Sequence, residues 1–183
     1  MTQQVLLGVE NISQLSWGAI NGCEAASLLE GFHFNQEAVE VSYGEFLLDM
    51  PISQDGNPYH GFGGSPFKNQ SGKFEAIFTS PLIEWGRKYG MLRDLSGANS
   101  SWLFDEVQRG YPVLTYVTVH FEQPKWEKYP FGLVPVNNHA VILDGFDQNR
   151  VHVSDPIDGK YWMAKEKFET IYYSRKMAVS LTK

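Results

Sequence analysis

The sequence has one cysteine, few basic residues and no long apolar run, and each shortage excludes a class of protein. One cysteine in 183 residues rules out an internal disulfide framework and fits both a reducing cytosol and a disulfide-free secreted protein. Fifteen Lys and Arg against 21 Asp and Glu give a net charge of −6 without a basic run, which argues against a nucleic-acid or anionic-membrane partner. No apolar stretch approaches the roughly 18 residues that a membrane span needs.

The apolar content is sufficient for one core. Hydrophobic residues make up 43% of the chain and aromatic residues 14%, and a domain of this size buries about 70% of the surface that its unfolded chain exposes. We therefore expect a single domain over residues 1–183, without internal repeats. Residues 1–20 lack a basic start followed by an apolar core, so we expect neither an export signal nor an anchor in the sequence as it stands.

Helical patterns dominate the first half of the chain and strand patterns the second. The predicted helices are one opened by Cys23 and stopped by Gly31, one over 43–50 with a Ser42–Glu45 capping box, one capped by Ser80 and closed by Gly90, one over 102–109 capped by Asn99 or Ser100, and a short one over 165–173. The predicted strands are 5–9, 113–121, 140–146, 151–154 and 176–181. This order predicts an α+β fold, with N-terminal helices packed on a C-terminal antiparallel sheet.

The cysteine lies where a helix is expected to begin. Asn21 is a favourable N-cap, and Glu24 stands three residues later, in the position of a capping-box partner. In a first helical turn, free backbone N–H groups and the helix dipole favour a thiolate at Cys23, which predicts a nucleophile. The alternative is a small buried apolar residue, because free cysteines are often buried. Position alone leaves both interpretations open.

A histidine and an aspartate stand where two predicted strands share an end. If the strands pair through a turn at 147–149, residue 139 falls opposite roughly residue 157, so His139 and Asp155 lie at the same end of the hairpin. A catalytic thiol needs a base and usually a third group that orients the base. Taken singly, His139 could be a solvent-bonded strand-end residue and Asp155 a turn starter. Their joint placement favours a base and its orienting carboxylate.

Two further features bear on the site. A thiol that adds to a carbonyl needs an oxyanion hole, and the Cys23 N–H supplies one donor. Gln14 is the candidate for the second donor; the alternative is that Gln14 is an ordinary polar residue that faces solvent. Residues 51–80 form a long stretch rich in glycine and aromatic residues, which predicts a substrate-flanking loop or an ordinary surface connection. No spacing of histidines with the cysteine matches a metal site, and no glycine motif matches a nucleotide site, so neither metal nor cofactor is implied.

Several short stretches together resemble one known family. They are Gln14, Asn21-Gly22-Cys23-Glu24-Ala25-Ala26-Ser27, Gly110-Tyr111-Pro112-Val113, Asn138-His139-Ala140-Val141 and Ser154-Asp155-Pro156. The pattern, which runs from about residue 14 to residue 181, resembles the bacteriocin-processing-peptidase-like family of papain-like cysteine peptidases, in its stand-alone branch. Exporter-fused relatives cut leader peptides after a double glycine.

The resemblance implies a papain-like fold with the cysteine helix packed on the sheet that bears the histidine. It also implies that Cys23 is the nucleophile, His139 the base, Asp155 its orienter and Gln14 the oxyanion donor. Because stand-alone members are often exported by Gram-positive bacteria, we expect a bacterial protein in an extracellular or cell-surface location, its leader absent from this sequence; a cytoplasmic location stays open.

These observations predict a thiol-dependent peptidase that hydrolyses a peptide or protein substrate through a Cys-His-Asp triad and an acyl-enzyme. The same triad serves cell-wall amide cleavage and transpeptidation, since specificity lies in the pocket. A third hypothesis is a catalytically silent papain-like binding module in which Cys23 is structural. The pH dependence of thiol alkylation discriminates the enzyme from the binding module.

Overall fold

The computed structural model describes residues 4–183, so the first three residues of the predicted domain lie outside it. Its helices are α1 (Cys23–Phe34), α2 (Tyr43–Asp49), α3 (Thr79–Gly86), α4 (Ser100–Gln108) and α5 (Lys165–Tyr172). Its strands are β1 (Val5–Leu6), β2 (Met91–Asp94), β3 (Val113–Thr118), β4 (Trp126–Tyr129), β5 (Gly132–Pro135), β6 (Asn138–Phe146), β7 (Arg150–Asp155), β8 (Gly159–Ala164) and β9 (Ala178–Thr182). None of the helices within this range is long and apolar enough to cross a membrane.

One antiparallel sheet organises the molecule. Its strands follow the order β2-β9-β3-β6-β7-β8, and β1 pairs with the far end of β6. Strands β4 and β5 form a separate two-stranded hairpin. Ile142 pairs with Ser154 and Leu143 with Val153, which confirms the register that a hairpin between 140–146 and 151–154 predicts. The two strand ends that carry the candidate base and carboxylate therefore lie side by side.

Helices cover both faces of this sheet. Side chains alternate between the faces along β3: Leu114 and Tyr116 join the core that contains buried residues of α1, α2 and α3, whereas Val113 and Val117 join the core beneath α4 and α5. Burial on both faces explains why all six residues of β3 are buried. The predicted α+β combination of N-terminal helices and a C-terminal antiparallel sheet is confirmed.

The start and end of α1 differ from their prediction. Gly22 occupies the N-cap without a side-chain bond, because the Asn21 amide donates instead to Ser65 O at 3.2 Å and Asn69 Oδ1 at 3.0 Å. Gly31 does not stop the helix: it lies against Leu181 of β9, and a Cβ at this position would stand 2.4 Å from Cδ2 of that leucine. Here glycine permits close helix–sheet packing rather than a turn.

Other elements confirm or correct the sequence prediction. The Ser42–Glu45 capping box is present at the start of α2, but α3 begins at Thr79 without a cap from Ser80 and ends at Gly86. The strand predicted over 113–121 ends at Thr118, since φ values of +53° and +52° turn the next residues into a 3-10 turn. Strands β2, β4, β5 and β8 were not predicted. Their exposed or polar residues give no apolar alternation.

Candidate active site

Cys23 is the first residue of α1, as predicted, and its side chain is only 5% exposed. Its Sγ donates a hydrogen bond to Oε2 of Glu24 at 3.2 Å. Ser27, one turn further along α1, donates to Ala140 O at 3.2 Å. The start of α1 is thus joined directly to β6, the strand that begins with the candidate histidine.

The ionisation of the thiol is opposite to the prediction. Burial raises the pKa of Cys23 well above its usual value, and the charge and hydrogen bond of Glu24 raise it further; the backbone groups of Ala140 and Glu24 oppose this but do not outweigh it. The expectation that the helix start lowers this pKa is therefore wrong for the arrangement described. Burial of the thiol, followed by the adjacent carboxylate, outweighs the backbone groups that favour the thiolate.

A chain of hydrogen bonds leads from the thiol across the start of β6 to Arg175. Oε1 of Glu24 accepts from the Asn138 amide at 3.0 Å, and Asn138 Oδ1 accepts from Nη1 of Arg175 at 2.8 Å. Nη2 of Arg175 donates to Val117 O at 2.8 Å. Glu24 is fully buried, and burial raises its pKa although its hydrogen bonds act against the shift. Glu24 is therefore not the capping-box partner that its spacing suggests; it contacts the thiol.

His139 and Asp155 form a buried pair, as the strand register predicts. Nε2 of His139 and Oδ1 of Asp155 are 2.7 Å apart, and the two side chains are 1% and 0% exposed. Since an ionised carboxylate can only accept, Nε2 carries the proton and Nδ1 stays available for another partner. Within residues 4–183 the side-chain hydrogen bond of the thiol goes to Glu24 and not to His139.

Asp155 is held by four donors. Oδ1 also accepts from the backbone N–H of Ile157 at 2.8 Å and of Asp158 at 3.3 Å, and Oδ2 accepts from the Tyr161 hydroxyl at 3.1 Å. Burial acts to raise the pKa of Asp155, but the hydrogen bond and charge of His139 and the backbone donors outweigh it and lower the pKa. An ionised, fixed carboxylate is suited to orient an imidazole.

Gln14 lies between the start of α1 and the turn that follows Asp155. Its backbone N–H donates to Pro156 O at 3.0 Å, and its carbonyl lies 3.5 Å from the Tyr43 hydroxyl, which donates to Gly22 O at 3.1 Å. The side chain is 3% exposed, and Nε2 donates to Ile20 O at 2.6 Å. An amide nitrogen has two hydrogens, so one stays free for an oxyanion. The alternative of a solvent-facing Gln14 is excluded by this burial.

The loop over residues 51–80 packs beside the cysteine. Its Pro66 carbonyl accepts from the Asn21 N–H at 2.9 Å, two residues before Cys23.

A second buried His–Asp pair, His152 with Asp144 at 2.6 Å, lies further along the same hairpin, at the other end of β7. That pair offers a matched comparison for the first one.

Sequence reasoning missed the contacts of Glu24, Asn138 and Arg175. Glu24 and Asn138 flank the predicted residues Cys23 and His139, so their position was a usable signal. Arg175 has no such signal, because it reaches Asn138 only through the tertiary fold.

Known proteins share sequence features with this chain. The sequence model of a family described as "Peptidase_C39 like family" matches residues 6–179. A curated Bacillus subtilis (strain 168) protein, "Uncharacterized protein YvpB", is 24% identical over 149 residues, which are 74% of this chain and 58% of that protein. The chain thus spans less than two thirds of the length of this relative.

Solved structures give the same fold. A Bacillus anthracis protein, described as a candidate C39-like peptidase, matches with a TM-score of 0.86 and 24% identity, over 99% of this chain and 98% of that one. A double glycine motif protease from an AMS/PCAT transporter, in complex with the leader peptide, matches with a TM-score of 0.54 and 16% identity, over 100% and 99% of the two chains. At these identities the likeness establishes the fold alone.

Proposed function

The chain belongs to the Peptidase_C39-like family, as its resemblance to the bacteriocin-processing peptidases predicted, and we infer that it is a cysteine peptidase. In this proposal Cys23 is the nucleophile, His139 the general base, Asp155 the residue that orients the base and Gln14 an oxyanion donor. The substrate is a peptide or protein. Assignment of the family supports a peptidase in general, and the four residues are our own assignment.

One observation supports this assignment most directly. The residue after Cys23 and the residue before His139 are hydrogen-bonded to each other, Glu24 Oε1 to Asn138 Nδ2 at 3.0 Å. This bond brings the start of α1, which carries Cys23, against the start of β6, which carries His139, although 116 positions separate residue 23 from residue 139 in the chain. The buried His139–Asp155 pair supports the assignment of a base and its orienter, which thiol catalysis requires.

The proposed reaction begins when the thiol leaves Glu24 and passes its proton to Nδ1 of His139. The thiolate adds to the scissile carbonyl, whose oxygen receives hydrogen bonds from the Cys23 N–H and the second hydrogen of Gln14 Nε2. His139 then protonates the leaving amine, and an acyl-enzyme forms. Water, deprotonated by His139, releases the acid and restores the thiol. Asp155 accepts the hydrogen bond from Nε2–H and so holds the imidazole in the tautomer that carries its proton on Nε2.

A second function is favoured by one observation. The thiol is buried and hydrogen-bonded to a carboxylate, and its pKa is raised. These properties are typical of an unreactive cysteine. A papain-like binding module would keep the fold and Cys23 without turnover.

Two measurements on the same variants separate these functions. Peptide libraries, with purified peptidoglycan as a further substrate, are incubated with the chain, and the products are read by mass spectrometry. Cys23→Ala should abolish cleavage and His139→Ala should lower it by about 10²–10⁴-fold, the usual contribution of a general base. Alkylation of Cys23 by iodoacetamide is followed against pH without any substrate.

His152→Ala is the matched control, because it removes the other buried histidine of the same hairpin. It should leave cleavage and alkylation close to those of the unsubstituted chain. Cleavage that survived Cys23→Ala would contradict the proposal. Absence of cleavage, together with an alkylation profile that His139→Ala does not change, would favour the binding module. Products released from peptidoglycan, and none from the peptide libraries, would show that the triad cleaves cell-wall amides.

A further inference from the structure

A cavity of about 390 Å³ opens beside the chain of hydrogen bonds that starts at the thiol. Its walls come from the 51–80 loop, from the β4–β5 hairpin and from the segment between α5 and β9. Tyr59, Trp126 and Leu133 line it and are 48%, 43% and 63% exposed. A volume of this size accommodates a side chain with its neighbouring peptide groups, and exposed aromatic walls are typical of ligand sites.

The charge of the cavity is unusual for this protein. Arg175 and Lys176 line it, and none of its described lining residues is acidic, although the chain carries 21 Asp and Glu against 15 Lys and Arg. Arg175 donates to two neutral oxygens, and Lys176 Nζ donates to Asn99 Oδ1 at 2.9 Å. Neither cation makes an ion pair within residues 4–183. Burial lowers the pKa of Arg175 to about 10, so it is charged at neutral pH.

The cavity is also joined to the candidate active site. Arg175 binds Asn138, the residue before His139, and Asn138 binds Glu24, the residue after Cys23. The same 51–80 loop that supplies Tyr59 to the cavity contacts the chain just before Cys23. These hydrogen bonds connect the cavity to residues that flank Cys23 and His139, and our proposal takes a peptide lying across the cysteine to place a neighbouring side chain in it.

We propose that this cavity is a subsite for an acidic residue of the peptide substrate, an Asp or Glu whose carboxylate binds Arg175 and Lys176. The inference rests on the proposed peptidase function. Charge complementarity selects the occupant: a carboxylate satisfies two cations that lack a counter-ion, and the planar guanidinium matches it in shape. The aromatic walls contact the apolar part of the side chain and the adjacent residue.

The test measures binding without chemistry. The Cys23→Ala chain is titrated with fluorescein-labelled, C-terminally amidated hexapeptides of alanine and one phenylalanine, with Glu or Gln at each position in turn. At one position or more, the Glu peptide should bind at least about tenfold more tightly than its Gln partner, because a charge-assisted hydrogen bond is stronger than a neutral one. Lys176→Glu, added to the Cys23→Ala chain, should abolish this preference for the Glu peptide. Arg175 is left unchanged because it also holds Asn138.

Lys128→Glu is the matched control, since it reverses an exposed charge on β4 that does not line the cavity. It should keep the preference for Glu. Equal binding of Glu and Gln peptides, no binding of any peptide, or binding restricted to peptides with a free C-terminal carboxylate would overturn the inference.

The preferred Glu peptide is finally offered to the chain with Cys23 intact. Preferential binding without cleavage would keep the subsite and contradict the peptidase proposal. Cleavage of Glu and Gln peptides at equal rates, with equal binding, would keep the peptidase and overturn the subsite.

Discussion

Burial and the neighbouring Glu24 together raise the pKa of the resting thiol. The Glu24 carboxylate accepts the Sγ hydrogen, and its charge acts in a site that water does not screen. In the proposed mechanism the cysteine therefore acts as a nucleophile only after it leaves Glu24 for His139. A protonated thiol in the absence of substrate protects the single cysteine from oxidation, since the thiolate is the reactive form.

Replacement of Glu24 by Gln should lower the pKa of the Cys23 thiol, because the carboxylate charge that opposes the thiolate is removed. Below the thiol pKa, each unit of this shift increases the alkylation rate about tenfold at a fixed pH. The rate of iodoacetamide alkylation against pH measures it. Glu40→Gln, which removes one exposed carboxylate, is the control. Identical pH profiles for the two variants would show that Glu24 does not control the thiol.

Asp155→Asn should reduce peptide cleavage less than His139→Ala does, because in the proposed mechanism Asp155 orients the base and does not carry the transferred proton. Asn keeps an acceptor for the Nε2–H but loses the charge. Initial rates of cleavage of one peptide compare the variants. Asp144→Asn makes the same change at the His152 pair and should leave the rate unchanged. A greater loss in Asp155→Asn than in His139→Ala would require a different role for Asp155.

At the level of residues, the sequence predicts what depends on local spacing. His139 beside Asp155 at the end of a hairpin follows from turn length and strand register, and Cys23 stands at a helix start as predicted, although neither Asn21 nor Glu24 caps that helix. The contact of Glu24 with the thiol and the reach of Arg175 do not follow. They depend on the packing of α1 on β6 and on the return of the chain after α5, which no local pattern encodes.

Among the elements, α1 is positioned by a glycine in its interior. Gly31 contacts Leu181 so closely that a methyl group would stand 2.4 Å from Cδ2 and 2.7 Å from Cδ1 of this fully buried side chain. The cysteine end of the helix therefore depends on a close contact more than two turns away. Glycine here has a packing function that a helix-stop interpretation misses.

Gly31→Ala separates helix propensity from packing. In an open helix this change stabilises by about 1 kcal/mol, whereas overpacking costs about 1–3 kcal/mol, so we expect a net loss of unfolding free energy. Urea unfolding measures it. In a Leu181→Ala background the same substitution should lower the unfolding free energy less, because the leucine side chain that the added methyl group would contact is absent. Stabilisation by Gly31→Ala in the unsubstituted background would contradict the packing explanation.

Prediction of the elements succeeded where residues are buried and failed where they are exposed. The buried strands β3, β6 and β7 have apolar, β-branched sequences, and α2 has a complete capping box. The β4–β5 hairpin is largely exposed and carries charged residues, so its sequence does not indicate a strand. This hairpin forms a wall of the proposed subsite, so in that proposal an element that the sequence did not predict contributes to specificity.

On the scale of the molecule, buried acids give two opposite dependences of stability on pH. The pKa of Asp155 is lowered in the folded chain, so its contribution is present above the unfolded value of about 3.9 and is lost as the pH falls through the folded value. The pKa of Glu30, which lies in α1, is raised well above its usual value by burial, although the Ile12 N–H opposes the shift. The folded state binds this proton more tightly, so stability falls as the pH rises from about 4.3 through the folded value.

Glu30→Gln isolates the second dependence. Oε1 of Glu30 accepts from the Ile12 N–H at 2.7 Å and the Asn11 amide at 3.3 Å, and a glutamine oxygen can replace it. The variant should gain stability relative to the unsubstituted chain as the pH rises, by no more than about 1.4 kcal/mol per pH unit for one proton. Urea unfolding at several pH values between 4 and 9 measures the difference.

Glu10→Gln removes an exposed carboxylate and should show no such trend. A difference between Glu30→Gln and the unsubstituted chain that stayed constant over this range would mean that Glu30 keeps an ordinary pKa despite its burial. Burial likewise raises the pKa values of Glu24 and of the Cys23 thiol at the start of α1. A pH-dependent gain at Glu30 would therefore support the explanation given for the protonated cysteine, from a measurement that involves neither substrate nor sulfur.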